Sequence, residues 1–569
     1  MKMFWRILVE SNLPLFSETV LFPILQVLEL AEINIQKIWH NQLPSKSSSI
    51  QNLTHLILRG CGKLNHIFSS SILQSFVKLQ HLEICHCEIL EEVIFVEELS
   101  EEVSEGIIFP CLERLVIKDL EKLTSFCSEI LIEFPSMKHL EIEKCPQFKS
   151  FILMNINTNS EEIQPFFNKK VALPSLEEII MSGMDNLKVI WNHQHLRHPF
   201  QRLKLIEIKN CDKLLSIFPL DMFERFWQLE TLTVTACGSL VDIFDLPRLN
   251  VQAQLKELYI HDLPKVKHIW KMESQVKLSF PKLCLVKIIG CQGLENLFPA
   301  SIARSLFELE ELELVNCGMK EIFSKEESRE STIRFVFPWI TFLKFSMLPQ
   351  LRCFYPGTHT SEWMTLKKLE VRDCDNVEIF TSKFLSNRLD VPAKQPLFFV
   401  EKVFPNLEEL KLGGKVIAMI WQGAFQEHLF RRVEILLVVK DESDVFPFHA
   451  FQRFHNLEKL ILSHGSYKEI FSHEEVDEQD GHASILTQIK EIKLFELSKL
   501  KYMWKQESKL STLLQNLVFL EVWWCHNLNY LVPSLTCFHN LTVLEIWFCK
   551  KLKNLVALST AKTLVQLKE

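Results

Sequence analysis

The stretch LKLIEIKNCDKLLSIF, residues 203–218, decides how this chain folds. Its apolar residues stand at Leu203, Ile206, Ile208, Cys211, Leu214, Ile217 and Phe218. The phrase L-x-x-L-x-I-x-x-C-x-x-L-x-x-I-F recurs in about nineteen copies. Their first residues run from Leu25, Leu53 and Leu79 through Leu229, Leu255 and Leu283 to Leu517 and Leu541. Most steps are 24 to 28 residues, and a few, such as Leu79 to Leu112, are longer. A period of this length is the mark of a stacked array, which grows coil by coil without domain breaks.

Within one copy the L-x-I segment alternates, as a short strand with one inward face does. The Cys, Leu and Ile-Phe that follow are spaced by three. That is too loose for a strand and predicts a bend followed by turn or 3₁₀-like backbone. One coil cannot bury its own inner face, so the coils stack with their strands parallel. The expected fold is an α/β repeat solenoid, a curved horseshoe or superhelix. Its parallel sheet forms the concave face, and its convex side is mostly irregular or 3₁₀. Some copies open on Phe-Pro or Leu-Pro and close on Ile-Trp, as from Leu173-Pro174 to Ile190-Trp191. Proline has no amide for a central strand, so Pro110, Pro135, Pro281, Pro338 and Pro405 mark the approach to it.

At 569 residues with 47% apolar content, the chain can fill a continuous core. Its net charge of −8, with both signs mixed throughout, gives no basic stripe for nucleic acid. No apolar run reaches the length of a membrane-spanning helix. The first ten residues, broken by Arg6 and Glu10, make a poor signal peptide. Ten of the sixteen cysteines, among them Cys61, Cys211 and Cys525, share one slot that holds Leu120, Leu263, Leu348 and Leu497 in other copies. A slot that takes Cys or Leu is apolar and interior, which fits reduced thiols and a cytoplasmic protein. The stretches 97–105, 325–331 and 474–481 are polar, mostly acidic, and read as loops. Residues 1–20 read as a leader of uncertain structure. Residues 21–569 read as the solenoid, which ends in mid-repeat at Leu564–Glu569, as a piece of a longer array or a truncated product does.

The Cys-bearing phrase with its Phe-Pro openings resembles the leucine-rich repeats of plant intracellular immune receptors. It is most similar to the coiled-coil class of nucleotide-binding, leucine-rich-repeat disease-resistance proteins, over nearly the whole chain. That resemblance implies a recognition and regulatory module of innate immunity. Its partners would be a pathogen effector, a host protein that an effector has modified, or a nucleotide-binding switch domain that it holds inactive. The chain departs from the family in lacking that switch. Gly413-Gly414-Lys415 is followed by Val416, and Glu409 stands where the first phosphate-loop glycine belongs. Neither a phosphate cradle nor a Mg²⁺ ligand results, so no nucleotide-binding domain and no cofactor is expected. Extracellular receptor kinases put Asn in the slot, and ubiquitin-ligase substrate receptors carry an F-box for which the residues before Leu25 leave no room. A cytosolic scaffold, or a decayed receptor fragment, is the alternative reading.

No nucleophile elbow, triad or acid/base pair stands out, so no enzyme is expected. Cys85-His86-Cys87 is too crowded to wrap one tetrahedral ion, and Cys87 is already a slot residue. The Ile-Trp tryptophans Trp39, Trp191, Trp270, Trp421 and Trp504 share their slot with Phe68, Phe218 and Phe244, which makes them packing residues. The candidates for partner binding are Phe495, Trp523, Trp524, Trp547 and Phe548. Phe495, Trp523 and Trp547 hold the same outward slot in three successive copies and stack in register. An exposed aromatic stripe of this kind marks an interaction surface unless a further coil covers it.

Overall fold

The computed structural model describes residues 2–5, 14–16, 22, 24–39, 50–96, 106–154, 163–191, 200–218, 226–246, 251–272, 278–325, 333–357, 359–377, 380–381, 397–399, 404–422, 429–447, 453–471, 488–504, 514–531, 537–556 and 558–569. They fall into two compact units, Met1–Ser305 and Leu306–Glu569. The acidic stretches 97–105 and 474–481, and 325–331 apart from Lys325, lie outside the described residues.

Each unit is a solenoid of coils whose strands pair in parallel with the next coil's strand. In the first unit Glu178–Ser182, Leu205–Lys209, Thr231–Thr235, Glu257–His261 and Leu285–Ile289 follow one another in register. In the second, Ile435–Val439, Lys459–Ser463, Glu491–Phe495, Phe519–Trp523 and Val543–Trp547 do the same. Every copy read from the sequence contributes one such strand. The leader adds another, because Lys2–Trp5 pairs in parallel with Val27–Ala31.

The backbone of one coil follows from its apolar slots. A turn brings the Leu203 amide to the Phe200 carbonyl at 3.2 Å and delivers the chain to the strand Leu205–Lys209. Ile206 and Ile208 point inward and are fully buried. Asn210 then takes a positive φ of 52°, in the left-handed region. A second turn, Leu214 amide to Cys211 carbonyl at 3.1 Å, drops Cys211 and Leu214 into the core. The spacing of three is therefore a left-handed bend followed by a tight turn.

The far side of the coil is more ordered than the sequence indicates. Ser216–Phe218, Asp242–Leu246 and His268–Met272 form a second, narrow parallel ladder. Coils of nearly equal length bring the Ile-Phe and Ile-Trp endings into register, and their extended backbones pair. Their rings stack behind the ladder, Phe218 on Phe244 at 4.8 Å, Phe244 on Trp270 at 4.5 Å and Trp270 on Phe298 at 5.7 Å. Trp39, Trp191, Trp270 and Trp421 are all buried, and the side chain of Trp504 lies outside the described residues.

The second unit interrupts the slot ladder. After the strand Glu409–Gly413 a helix, Gly414–Gln422, replaces the usual turn. Gly414 is needed there, since a Cβ would lie 2.1 Å from the Lys440 carbonyl oxygen. In the next coil Asp441 occupies the slot and is buried. Its carboxylate accepts hydrogen bonds from the Tyr467 hydroxyl at 2.7 Å, the Ser443 hydroxyl at 2.8 Å, the Ser443 amide at 3.1 Å and the Trp421 indole at 3.4 Å. The coil after that has Gly465 in the slot, and the Tyr467 ring fills its space, 2.6 Å from where a Cβ would stand. Burial pushes the Tyr467 phenol up, and the Asp441 charge pushes the same way. Replacing Tyr467 with Phe keeps the ring and removes one donor from a buried carboxylate. We expect Tyr467→Phe to cost about 1–3 kcal/mol in urea denaturation of the chain, and an unchanged midpoint counts against the cluster.

All sixteen cysteines are free thiols. Burial pushes the slot thiols Cys145, Cys374 and Cys525 up to about 12. At neutral pH they stay protonated and are poor nucleophiles. A thiol reagent such as Ellman's should label the native chain quickly at half-buried positions such as Cys111 and Cys537 and leave the slots unmodified until denaturant is added. Native labelling of Cys211 or Cys525 at the rate of free cysteine contradicts this packing.

Candidate functional site

Strand alternation leaves the first, third and fifth residue of each strand on the face turned away from the core. The character of that face differs between the two units. In the first, successive strands present His55, His81, Arg114 and His139 in one column. The neighbouring column carries Glu29, Ile57, Glu83, Val116 and Glu141. Ion pairs knit this face together. Arg59 bridges Glu29 at 2.8 Å and Glu83 at 2.7 Å, and Arg114 and His139 meet Glu141 at 2.8 and 3.2 Å. The rings of His55 and His81 stack at 5.6 Å. This face is polar and internally neutralised.

In the second unit the columns end in aromatics. Phe495 pairs with Trp523, and Trp523 with Trp547, in adjacent strands. The ring of Trp523 lies 6.2 Å from Phe495 and 5.9 Å from Trp547. Trp524 and Phe548 follow their strands with φ of 53° and 57°, and their rings stack at 5.7 Å and 8°. That left-handed turn swings both rings onto the edge of the face, where Trp524 meets Trp523 at 5.5 Å. All five rings therefore form one contiguous patch. Phe495 and Trp523 are half-buried, whereas Trp524, Trp547 and Phe548 are 38%, 51% and 60% exposed. The Trp523 indole N–H is buried without a hydrogen-bond partner among the described residues.

Sequence reasoning missed the carboxylates under this patch. Glu521 and Glu545 sit two residues before Trp523 and Trp547 and pair across the strands. The signal was the repeated phrase, Leu520-Glu521-Val522-Trp523 and Leu544-Glu545-Ile546-Trp547. Elsewhere, Cys87 drops into its core slot with its thiol on the Cys85 carbonyl at 3.5 Å. His86, in the left-handed bend between them, faces Asp119 at 3.7 Å.

The polar face of the first unit has a pH signature. Burial chiefly lowers the pKa of His81, against the pull of Glu83, so its neutral form is favoured on folding. Burial alone would raise the pKa of Glu83, but hydrogen bonds from Arg59 and His81 hold it below the usual carboxylate range. Glu141 is held down in the same way by Lys118 and His139. A depressed histidine withdraws stability as pH falls below its unfolded value, and depressed carboxylates withdraw theirs as pH falls through their folded values. All three act in one direction. The melting temperature should be flat from about pH 8 to 7 and fall from about pH 6.5 to 4, with Glu83→Gln shallowing the lower part of that fall. A melting temperature that rises on acidification contradicts this assignment.

None of the described helices is long and apolar enough to cross a membrane. A family model, the leucine-rich repeats of RPS2-like plant disease resistance proteins, matches residues 24–164, 107–238, 175–318 and 406–537, which together make up most of the chain. The probable disease resistance protein At4g27220 of Arabidopsis thaliana is 29% identical over 144 residues, a match that spans 25% of this chain and 15% of that protein. Among solved structures, the TLR13–ssRNA13 complex aligns with a TM-score of 0.36 at 15% identity over 95% of this chain and 82% of that one. A leucine-rich-repeat protein of Leptospira interrogans aligns with a TM-score of 0.32 at 14% identity over 96% of each. By the family match, this chain belongs to the RPS2-like leucine-rich repeats of plant disease resistance proteins.

Proposed function

We propose that this chain is the recognition and regulatory part of a plant disease-resistance protein, acting in the cytoplasm without catalysis of its own. It senses a pathogen effector or a host protein that an effector has modified, and it does so through the strand-lined face. The observation that carries the reading is the aromatic patch of Phe495, Trp523, Trp524, Trp547 and Phe548. Trp524, Trp547 and Phe548 are more than a third exposed, beside the half-buried Phe495 and Trp523, and exposed aromatic rings on a sheet are what a protein interface uses as anchors. Family membership supports the setting in disease resistance. The same face could also hold a nucleotide-binding switch domain, a partner of the class the family resemblance implies.

The test compares the wild-type chain with a Trp523→Ala/Trp547→Ala variant by proximity labelling in plant tissue, alongside melting curves. We expect unchanged circular dichroism and a melt within a few degrees of wild type. At least one labelled protein should fall by tenfold or more, as expected when hot-spot tryptophans worth about 2 kcal/mol each are removed. If the melt collapses, the indoles are structural. If the labelled proteins are the same, the strand-lined patch is not the recognition surface.

A further inference from the structure

The carboxylates under the aromatic patch are unevenly neutralised. Glu521 is buried and is paired with Lys493 at 2.8 Å. Lys493 also meets Glu491 at 3.2 Å and lies over the Phe519 ring, 4.7 Å from its centroid. One strand further on, Glu545 stands directly across from Glu521 and has no ion pair among the described residues. Like charges directly opposite on a sheet repel, and only one side of this pair has a cation. The column therefore reads plus, minus, minus at Lys493, Glu521 and Glu545, beside a second column of Phe495, Trp523 and Trp547.

We propose that this patch takes a basic side chain of the partner protein, arginine in preference to lysine, with its charged head on the Glu545 carboxylate and its plane against the exposed Trp547 indole. The proposal rests on reading the patch as a recognition surface. Two features carry it. The first is charge complementarity: a cation on Glu545 relieves the repulsion between facing carboxylates. The second is that the face already holds one cation in this manner, with Lys493 between an aromatic ring and two carboxylates. An arginine fits the second position better than a lysine. Its flat guanidinium can stack on an indole while its N–H groups bond a carboxylate, and it gives up hydration more readily. Acidic or purely apolar partners leave Glu545 unpaired or buried against repulsion.

A positional-scanning library of blocked hexapeptides tests this on the purified full chain. For the wild type, one position should prefer arginine over citrulline, its uncharged near-isostere, by roughly fivefold, with lysine between them. Glu545→Gln should remove that charge preference and keep the peptides' aromatic and apolar requirements. Trp547→Ala should weaken all selected peptides. Trp547 is exposed and Glu545 half-buried outside the core slots, and unchanged melting curves confirm folded variants. If peptides are selected and depend on Trp547 but show no preference for a cation, or keep it in Glu545→Gln, the basic partner is wrong while the recognition surface stands. If no selected peptide depends on Trp547, the recognition surface fails and this proposal with it.

Discussion

Where the coil keeps its usual form, the residue after the core-sheet strand turns left, and the rest of that coil depends on it; Gly414, which opens a helix instead, is the departure. Outside glycine this conformation costs about 1–2 kcal/mol, yet Glu32, His86, Lys144, Trp524 and Phe548 all adopt it. What holds Glu32, His86, Lys144 and Trp524 there is a hydrogen bond to the next coil. The Asn210 amide donates to the Thr235 carbonyl at 3.0 Å, Glu496 to Trp523 at 2.9 Å and Trp524 to Trp547 at 3.0 Å. The ladder thus runs one residue past the strand while the chain reverses toward the core. A single coil has no such acceptor, so stacking is what stabilises the bend along the array.

The same carbonyl explains the cysteine. In Cys237 and Cys525 the thiol contacts the strand-final carbonyl of its own coil, Thr235 at 3.5 Å and Trp523 at 3.6 Å. Each carbonyl thereby uses both lone pairs, one for the preceding coil's amide and one for the thiol. The slot is apolar and small, as the Cys-or-Leu alternation says, but cysteine also offers a weak donor aimed at an acceptor that leucine ignores. Where Asp441 takes the slot, the geometry survives because four donors converge on the carboxylate and Gly465 leaves room for the tyrosine that brings one of them.

The inward face was legible because its chemistry is uniform. Ile206, Ile208, Leu214 and their equivalents must be apolar, so the period writes itself into the sequence. The left-handed position was not legible, since its side chain points out and accepts Asn210, Gly183, Lys440 or Trp524 alike. The narrow far-side ladder escaped because two or three extended residues such as Ser216–Phe218 are too short to show alternation. Asp441 reads locally as a polar turn, and its partner Tyr467 stands 26 positions away. At the aromatic patch, equal slots in neighbouring copies brought Phe495, Trp523 and Trp547 together on paper. The turn that carries Trp524 and Phe548 to its edge, and the unequal pairing of Glu521 and Glu545, depend on backbone conformation and on contacts across coils that no local stretch of residues displays.

In-register stacking makes the outer columns and the inner slots separable. Each coil meets its neighbours through the same buried residues and the same bend, whatever it displays outside. A crossing-over that deletes or duplicates one whole coil therefore leaves the core sealed. It shifts one block of the outer face against the other by a single strand spacing, about 4.8 Å. The columns of rings and charges are redealt in one step, without passing through an unfolded ancestor. Such an array reaches new outer surfaces faster than point substitution permits.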